Sequence, residues 1–288
     1  MMMEWRDWPS WRRLNAIARL PVTGAAAAGG LAAASMAEFI ETLSEYAPEA
    51  YPVAVRNVAE DLVRRQPALA PIVGMVNTIF LHLDDGPSDL AALMRDTERR
   101  IATSSALLAE VGSGLVEQGA GVLTFGGSGS VKAVLSAAGA TKPIFVSCAT
   151  TLPDGEGVEM AADLAAAGVS VELIPDDEIA EVVAGCDLVM MGTSALGPTA
   201  AMAISGAAMV AKEARSAGVP LYLVASVEKV LPGPLFDRAV GAGAVEGRYE
   251  PVPLGDVTAV VTEFGVLHPE AAGLLAAELQ VAPQLTSG

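Results

Sequence analysis

Apolar residues recur at every third or fourth position through the first 115 residues of the chain. The pattern runs through VTGAAAAGGLAAASMAEFIETLSEY, VRNVAEDLVRRQPALAPIVGMVNTIFLHL and DLAALMRDTERRIATSSALLAEVGSGLV. Such spacing places the apolar side chains on one face of a helix. Pro67 and Pro71 interrupt or begin helices, and Ser88 with Asp89 marks a helix start after the turn DDGP. We therefore predict a helical domain over residues 1–115.

From Gly121 onward, short β-branched runs alternate with Ala-rich helical stretches. Six runs predict buried strands: GVLTF, PIFVSC, VSVELIP, DLVMMG, PLYLVAS and TAVVTEF. The stretch around AMAISGAAMVAKEARSAG predicts a helix, and the Gly/Pro-rich GAGAVEGRYEPVPLGD predicts an exposed connection. Strands joined by helices form a parallel sheet that binds ligands at the carboxyl ends of its strands. The predicted class is α/β, with the helical domain followed by a Rossmann-like ligand-binding domain over residues 116–288.

Charge and composition narrow the range of partners. The 288 residues carry 34 acidic and 17 basic side chains, for a formal net charge of −17. Nucleic acids and anionic membranes both need clustered positive charge, so we expect neither as a partner. The start, MMMEWRDWPSWRR, lacks the basic and apolar pattern of a secretory signal, and Glu38 and Glu41 interrupt the apolar stretch that follows. These features predict a soluble cytoplasmic protein.

The cysteines, histidines and tryptophans predict structural roles. Cys148 and Cys186 lie in strand-like runs without metal-ligand spacing, which indicates reduced, buried thiols. His82 and His268 stand alone, so we expect no metal site and no cofactor. Three tryptophans at three-residue spacing could close over a ligand but more often pack a terminal helix onto the core: Trp5, Trp8 and Trp11.

The segment LTFGGSGSVKAVLSAAG, residues 123–139, has features suited to an anion. A predicted strand ends at Phe125, and a helix begins near Ser130. Glycines let the backbone approach a ligand, the helix start offers free N–H groups, and Lys132 is nearby. The spacing matches neither a dinucleotide fingerprint nor a P-loop, which argues against an ordinary dinucleotide oxidoreductase. The turn supplies five candidate ligand-binding residues: Gly126, Gly127, Ser128, Gly129 and Ser130.

The order of the later segments resembles one known family. After the Gly/Ser turn come IFVSCATTLPDGEG, AAGVSVELIPDDEI, CDLVMMGTSAL and GVPLYLVASVEK. This order resembles the family that joins the alpha, beta and delta subunits of translation initiation factor 2B with methylthioribose-1-phosphate and ribose-1,5-bisphosphate isomerases, most strongly over residues 112–232. Arg19–Ala28 is similar to the Arg-Gly-Ala-Pro stretch of the isomerases, which adds Arg19 as a candidate ligand contact. The resemblance also implies a homodimer or higher homo-oligomer.

The chain departs from the isomerases where the resemblance places their chemistry. Those enzymes use a cysteine after the first strand and an aspartate after the fourth, because one carbon loses a hydrogen while the neighbouring oxygen exchanges a proton. Residues 124–127 read Thr-Phe-Gly-Gly where the family has Thr-His-Cys-Asn, and Gly192, Thr193 and Ser194 replace Gly-Ala-Asp. The hydroxyl of Ser194 cannot replace a carboxylate base. Thr193 and Ser194 remain candidate ligand contacts.

Two family-like residues are candidates for catalysis. Lys229 matches the lysine of the family's Tyr-Lys, and Asp176 matches the acidic residue that ends strand three. Each has a structural alternative: Asp176 could cap the helix that follows, and Lys229 could be a solvated partner of the acidic surface. Glu156 with Gly157 matches the family's Glu-Gly and could equally be a helix N-terminal charge.

Two functions follow, and the residues leave both open. The chain is either a divergent isomerase-like enzyme that binds a small anionic, phosphorylated metabolite, or a catalytically silent regulatory or scaffold subunit related to initiation factor 2B. The retained Lys229 and Asp176 favour the first, to which we lean, and the missing cysteine and aspartate favour the second.

Overall fold

Five α-helices precede the first strand of the computed structural model, which describes residues 5–19, 25–245 and 247–286. They are α1 (Pro9–Ile17), α2 (Ala25–Tyr46), α3 (Tyr51–Arg65), α4 (Ala70–His82) and α5 (Pro87–Ser113). Proline occupies the first or second position of α1, α3, α4 and α5, where its missing N–H costs no helical hydrogen bond. The helical periodicity of the first third is therefore confirmed.

The tryptophans pack α1 onto α2. Trp8 is buried, and its ring centroid lies 6.1 Å from that of Phe39 in α2. The rings of Trp5 and Phe39 are 5.7 Å apart, and Trp5 meets Trp11 edge-on at 6.4 Å. These contacts belong to the main apolar core of the helical part, so the packing interpretation of the tryptophan stripe is confirmed.

Ten strands follow from Gly121 onward in the part of the chain that the structure describes. They are β1 (Gly121–Phe125), β2 (Phe145–Ala149), β3 (Ser170–Ile174), β4 (Leu188–Gly192), β5 (Ala195–Leu196), β6 (Ala200–Ile204), β7 (Leu221–Val224), β8 (Tyr249–Pro253), β9 (Ala259–Thr262) and β10 (Gly265–Leu267). The helices among them are α6 (Gly129–Thr141), α7 (Glu156–Ala166), α8 (Ile179–Val183), α9 (Ala207–Ala217), α10 (Gly233–Val245) and α11 (Pro269–Glu278). All six predicted strand runs are strands, and the α/β class is confirmed.

Seven strands form one sheet in the order β10-β9-β7-β4-β1-β2-β3. All neighbours are parallel except β10, which runs antiparallel to β9. The chain moves outward from β1 to β3 and then returns to place β4 on the other side of β1. This reversal separates the loops that follow β1 and β4, and it creates a crevice at their carboxyl ends.

A second sheet, of three antiparallel strands in the order β5-β6-β8, contradicts two predictions. Residues 200–204 form β6 where a helix was predicted, and residues 249–253 form β8 within the predicted exposed connection. Ala200–Ile204 is rich in Ala and Met, which favour helices in isolation. Pairing with β5 and β8 satisfies its backbone and buries Met202, so tertiary contacts outweigh the local preference.

One apolar core crosses from the helical part into the sheet part. The buried cluster around α2 and α4 also contains Met202, Leu231 and Phe236. On the surface, Arg100 of α5 donates to Glu228 in the turn after β7 at 2.7 Å. The domain boundary predicted between residues 115 and 116 falls in the connection between α5 and β1, and the division into two domains stays a prediction.

Among the described residues, the helices include none that is both long enough and apolar enough to cross a membrane.

The contact between α5 and α6 depends on Gly112. A Cβ on Gly112 would lie 2.6 Å from Cγ2 of Val134, whereas at Gly74 in α4 the nearest atom would be Cδ2 of Leu231 at 3.9 Å. Alanine favours a helix over glycine by up to about 1 kcal/mol. We expect Gly74→Ala to raise the free energy of unfolding by about 0.5–1 kcal/mol. Gly112→Ala should lower it by about 1–3 kcal/mol, because the Val134 methyl groups cannot move aside freely. Urea denaturation measures both, and stabilisation by both variants would contradict this account.

Candidate functional site

The turn that follows β1 touches the last residue of β4 at the crevice. A Cβ added to Gly192 would lie 2.2 Å from Oγ of Ser128, so only glycine fits at the end of β4. Ligands of open α/β sheets bind at this kind of strand reversal. The structure therefore places the predicted Gly/Ser turn against Gly192, the residue that precedes Thr193 and Ser194.

Protein oxygens already occupy the first two amides of the Gly/Ser turn. The N–H of Gly126 donates to Oγ1 of Thr151 at 3.0 Å, and the N–H of Gly127 donates to Oε2 of Glu156 at 3.0 Å. Gly126 needs its freedom from a side chain, because its φ is 85° and a Cβ would approach Ile204 at 3.1 Å. The hydroxyl oxygen of Thr151 and the carboxylate of Glu156 thus occupy the positions where an anion was predicted to bind.

The second half of the turn begins α6. Ser128 is the N-cap, and its Oγ accepts the N–H of Val131 at 3.4 Å. Gly129 is exposed and Ser130 is half-buried in the first helical turn. Five turn residues were predicted to bind a ligand. Ser128, Gly129 and Ser130 are the three that lie on the α6 side of the turn, after the two amides that Thr151 and Glu156 occupy.

Thr193 and Ser194 differ in what they offer. Thr193 is buried, and its Oγ1 lies 2.6 Å from the carbonyl oxygens of both Ala195 and Met202. Its hydroxyl therefore ties the end of β4 to β5 and β6. The N–H of Ser194 donates to the carbonyl of Met202 at 2.7 Å, and its side chain is half-buried. Ser194 is the hydroxyl of this pair that a ligand could reach.

Lys229 is buried at the end of the turn after β7. Its side chain is only 7% exposed, and Nζ donates to the carbonyl of Thr193 at 2.8 Å. Burial lowers the pKa of Lys229 to about 8, against the opposite effect of the nearby Glu263 carboxylate. Glu263 is 8% exposed and accepts the N–H of Val227, and burial raises the pKa of its carboxyl. An amine with such a pKa can exchange protons near neutral pH.

Asp176 holds the loop that follows β2. Its Oδ1 accepts the Thr150 hydroxyl at 2.9 Å and the Thr151 N–H at 2.7 Å, and its Oδ2 accepts the Leu152 N–H at 2.8 Å. These bonds support Thr151 at a φ of 57°, an uncommon value for a residue with a side chain. The carboxylate of Asp176 thus fixes the conformation of the loop after β2.

The strand order separates the two residues predicted to be catalytic. Lys229 follows β7 and Asp176 follows β3, with β4, β1 and β2 between those strands. Four strand spacings amount to about 19 Å. Lys229 therefore lies beside the crevice and Asp176 positions a loop on the far side, and a catalytic role for either residue stays a prediction.

Arg19 lies in the helical part, just beyond α1, and is exposed. Its N–H donates to the carbonyl of Ala16 at 2.9 Å. Gln66 is buried and donates to the carbonyls of Ile17 and Ala18 at 3.1 and 3.3 Å. Gln66 therefore fixes the end of α1, and ligand contact by Arg19 stays a prediction.

Sequence reasoning missed Arg248. Its Nη2 donates to Oε1 of Glu156 at 2.7 Å, which links the loop before β8 to the Gly/Ser turn. Beside it lies a cavity of about 350 Å³ lined by residues 151–154, 204–205 and 247–248. An arginine within a Gly/Pro-rich stretch of an acidic chain was the available signal. The contact with Glu156, 92 positions away, was not readable from the sequence.

The remaining candidates have structural roles. Burial raises the pKa of the Cys148 thiol to about 12, so it is not a nucleophile at neutral pH. Nδ1 of His268 accepts the Glu270 N–H at the start of α11, and His82 pairs with Asp85 at 2.7 Å. In the described ranges, no three side chains of His, Cys, Asp or Glu are grouped as metal ligands.

A helical N-terminal part, a mostly parallel sheet and a strand-end crevice define an α/β protein with one candidate ligand site between β1 and β4. The chain belongs to the initiation factor 2 subunit family, whose sequence model matches residues 22–242. The family resemblance carried by the order of the segments is thereby confirmed.

The named relatives include an initiation factor subunit-like protein and an isomerase. The chain is 22% identical over 227 residues to a putative translation initiation factor eIF-2B subunit 2-like protein of Pyrococcus horikoshii, covering 75% of this chain and 82% of the relative. It is 22% identical over 278 residues to ribose 1,5-bisphosphate isomerase of Methanocaldococcus jannaschii, covering 89% and 90%. The tetrameric eIF2B-beta2-delta2 complex of Chaetomium thermophilum contains a similar chain, with a TM-score of 0.74, 19% identity and 93% coverage of each. At this identity the structural likeness shows the fold alone.

The pKa of Lys229 can be tested directly because the chain has only four lysines. With lysine labelled at Cε, we expect one NMR signal to titrate with a midpoint near pH 8, since burial disfavours the ammonium form. This signal should be missing from Lys229→Met. A Lys229 signal that titrates at the ordinary lysine pKa of 10.5 would contradict the buried environment described above.

Proposed function

We propose that this chain binds a small anionic, phosphorylated metabolite in the crevice between β1 and β4, and that it catalyses an isomerase-like proton transfer with Lys229. One observation carries the proposal: a buried lysine whose pKa is about 8 lies against the end of β4 in a chain of net charge −17. Buried ammonium groups are costly, and perturbed lysines of this kind concentrate at functional sites.

Charge and hydrogen-bonding capacity support an anionic ligand. An ammonium group has three N–H donors, and in the described part of the chain Nζ of Lys229 makes one hydrogen bond, to Thr193. The hydroxyls of Ser128, Ser130 and Ser194 supply further donors on the two turns that form the crevice. Gly126 and Gly127 contribute by letting the backbone of this turn lie close to Glu156, and Arg19 remains a proposed contact from the helical part.

The proposed reaction needs only one base. Lys229 first loses its ammonium proton to solvent, which a pKa of about 8 allows near neutral pH. The neutral amine then takes a proton from the carbon next to a carbonyl in an open-chain sugar phosphate and returns it to the former carbonyl carbon. Meanwhile the hydroxyl proton of the substrate moves to the former carbonyl oxygen through the Ser194 hydroxyl. No atom is gained or lost, which is the balance of an isomerisation. Asp176 acts in this proposal as a positioning residue for the loop after β2.

Lysine substitution tests the ligand site. We expect Lys229→Met to weaken binding of ribose 5-phosphate or ribose 1,5-bisphosphate at least about tenfold, because a charged hydrogen bond contributes about 1.5–3 kcal/mol. Lys212→Met is the matched control, since Lys212 is exposed on α9. Isothermal titration calorimetry measures both. Equal affinities for the two variants, or no binding of either sugar phosphate by the wild type, would contradict the proposed site.

A separate set of observations favours the regulatory alternative. The end of β1 carries no cysteine, and the amides of Gly126 and Gly127 and the carboxylate of Asp176 are all engaged within the protein. Deuterium uptake into the carbon-bound positions of a bound sugar phosphate in D₂O separates the two functions. Uptake that disappears in Lys229→Met supports the enzyme, whereas tight binding without uptake supports a silent regulatory subunit. We expect either function to operate in the cytoplasm.

We further propose that the chain forms a homodimer or higher homo-oligomer. Phe145 in β2 and Phe264 in the hairpin between β9 and β10 are 61% and 76% exposed, at opposite sides of the large sheet. Light scattering after size exclusion should give at least twice the chain mass of 29.3 kDa. Phe145→Ser and Phe264→Ser, measured in parallel, identify the side that carries the interface. A wild-type monomer at micromolar concentration would contradict the proposal.

A further inference from the structure

The turn after β7, Val227–Lys229, is tied to three different parts of the molecule by its three consecutive residues. The N–H of Val227 donates to Oε2 of Glu263, in the hairpin between β9 and β10, at 3.0 Å. Oε1 of Glu228 accepts Nε of Arg100 in α5 at 2.7 Å. The last residue of the turn is the lysine that reaches the end of β4. Among the residues that the structure describes, Arg100 supplies the hydrogen bond to this turn that comes from the helical part.

The guanidinium of Arg100 is held in place by its own helix. Nη1 pairs with Asp96, and Nη2 donates to Oγ1 of Thr97 at 3.2 Å. Thr97 is buried, and its hydroxyl donates to the carbonyl of Leu93 at 3.0 Å. The planar fork of an arginine that is already fixed by two bonds loses little further freedom when it makes a third. Nε of Arg100 is therefore a preorganised donor for Glu228.

Glu228 depends on this donor more than Arg100 does. The Glu228 side chain is 15% exposed, whereas that of Arg100 is 45% exposed. A largely buried carboxylate is costly without a partner of opposite charge. Arg100 is the cation within ion-pair distance of Glu228 in the described part of the chain. Loss of Arg100 would therefore favour a rotation of the turn that brings Glu228 to water.

Such a rotation would also move Lys229. Successive side chains of a 3₁₀ turn are about 120° apart around its axis. Glu228 accordingly reaches α5 while the neighbouring Lys229 reaches the end of β4. Since both residues belong to one short turn, a rotation that releases Glu228 withdraws Nζ of Lys229 from the carbonyl of Thr193. It also admits water to a lysine that is only 7% exposed.

The charged side chains on or next to this turn come from the turn itself, from the hairpin between β9 and β10 and from α5: Glu228, Glu263, Asp96 and Arg100. α4 also packs against the turn, and its His82 pairs with Asp85. α4 has no Asp, Glu, Lys or Arg. Removal of Arg100 therefore leaves the carboxylates near Lys229 with one cation fewer, which stabilises the ammonium form of the lysine.

We propose that Arg100 is a positioning residue for Lys229. Its bond to Glu228 prevents the turn after β7 from rotating, and so keeps the lysine amine against Thr193 and away from bulk water. A residue of the helical part thereby controls the environment of a residue at the sheet crevice. What the lysine does in this position rests on the proposed function, whereas the position itself requires no ligand.

Removal of the guanidinium should be visible at the lysine. In Arg100→Met, we expect the midpoint of the Lys229 NMR titration, near pH 8 in the wild type, to rise by at least about 0.5 on the pH scale, because water and the unpaired Glu228 carboxylate both favour the ammonium form. Arg99→Met is the matched control, since Arg99 is the preceding residue of α5 and also pairs with Asp96, at 2.8 Å. Its midpoint should equal that of the wild type. An unchanged midpoint in Arg100→Met, or the same rise in Arg99→Met, would overturn the proposal.

Glu228→Ala separates positioning from a simple effect of charge. This variant removes a negative charge near Lys229 and leaves the Arg100 cation, so electrostatics alone predicts a midpoint below that of the wild type. Loss of the tie to α5 predicts a midpoint above it, because water then reaches Nζ. We expect the rise. A midpoint at or below the wild-type value in Glu228→Ala would contradict the positioning role.

The pH profile of deuterium uptake connects Arg100 with the proposed reaction. If Lys229 is the base, uptake into a bound sugar phosphate should need a pH that is higher by the same amount in Arg100→Met, because less of the amine is neutral at each pH. The lysine titration uses the protein without ligand, so the two proposals fail separately. Absence of binding in the wild type contradicts the proposed function, and the titration still decides the role of Arg100. Uptake with an unshifted profile and an unshifted midpoint in Arg100→Met contradicts the role of Arg100 alone.

Discussion

The contact of Ser128 with the bare Cα of Gly192 determines how closely the ends of β1 and β4 approach. Everything else at the crevice is placed relative to this contact. Thr193 follows Gly192 directly, so its carbonyl is positioned to receive Lys229 and its hydroxyl ties the strand end to the small sheet. A side chain at position 192 would push the two turns apart and move the lysine's acceptor with them. The geometry of the candidate site therefore rests on a steric constraint.

At the strand ends, several acidic side chains form hydrogen bonds with the backbone. Four carboxylates accept backbone N–H groups there, from the loop after β2, the Gly/Ser turn, the start of α9 and the turn after β7: Asp176, Glu156, Glu250 and Glu263. In many α/β proteins such amides meet a ligand. Here the protein's own carboxylates accept several of these N–H groups. The cations that lie among the carboxylates, Lys229 and Arg248, are therefore the groups best suited to hold an anion from solution.

Membership of the initiation factor 2 subunit family leaves the reaction open, because its named relatives include both an initiation factor subunit-like protein and an isomerase. The site has features of each branch. Lys229 beside the crevice has a pKa suited to proton transfer, as an enzyme needs. The internally satisfied loop after β2 and the absence of a cysteine at the end of β1 suit a protein that binds without turnover. The two functions proposed for this chain use the same strand-end crevice, so the distinction between them lies in side-chain chemistry and not in the fold.

The sequence by itself determined the helical first third and the six strand runs of the large sheet, because periodicity and β-branched runs report directly on local structure. It also predicted a ligand site at the ends of these strands. Only the tertiary structure decided that residues 200–204 and 249–253 pair as strands, since their partners lie far away in the chain. Strand order likewise separated Asp176 from Lys229, and the folding of distant loops joined Glu156 to Arg248. These outcomes depend on contacts between residues remote in sequence, about which the local pattern of one chain carries no information.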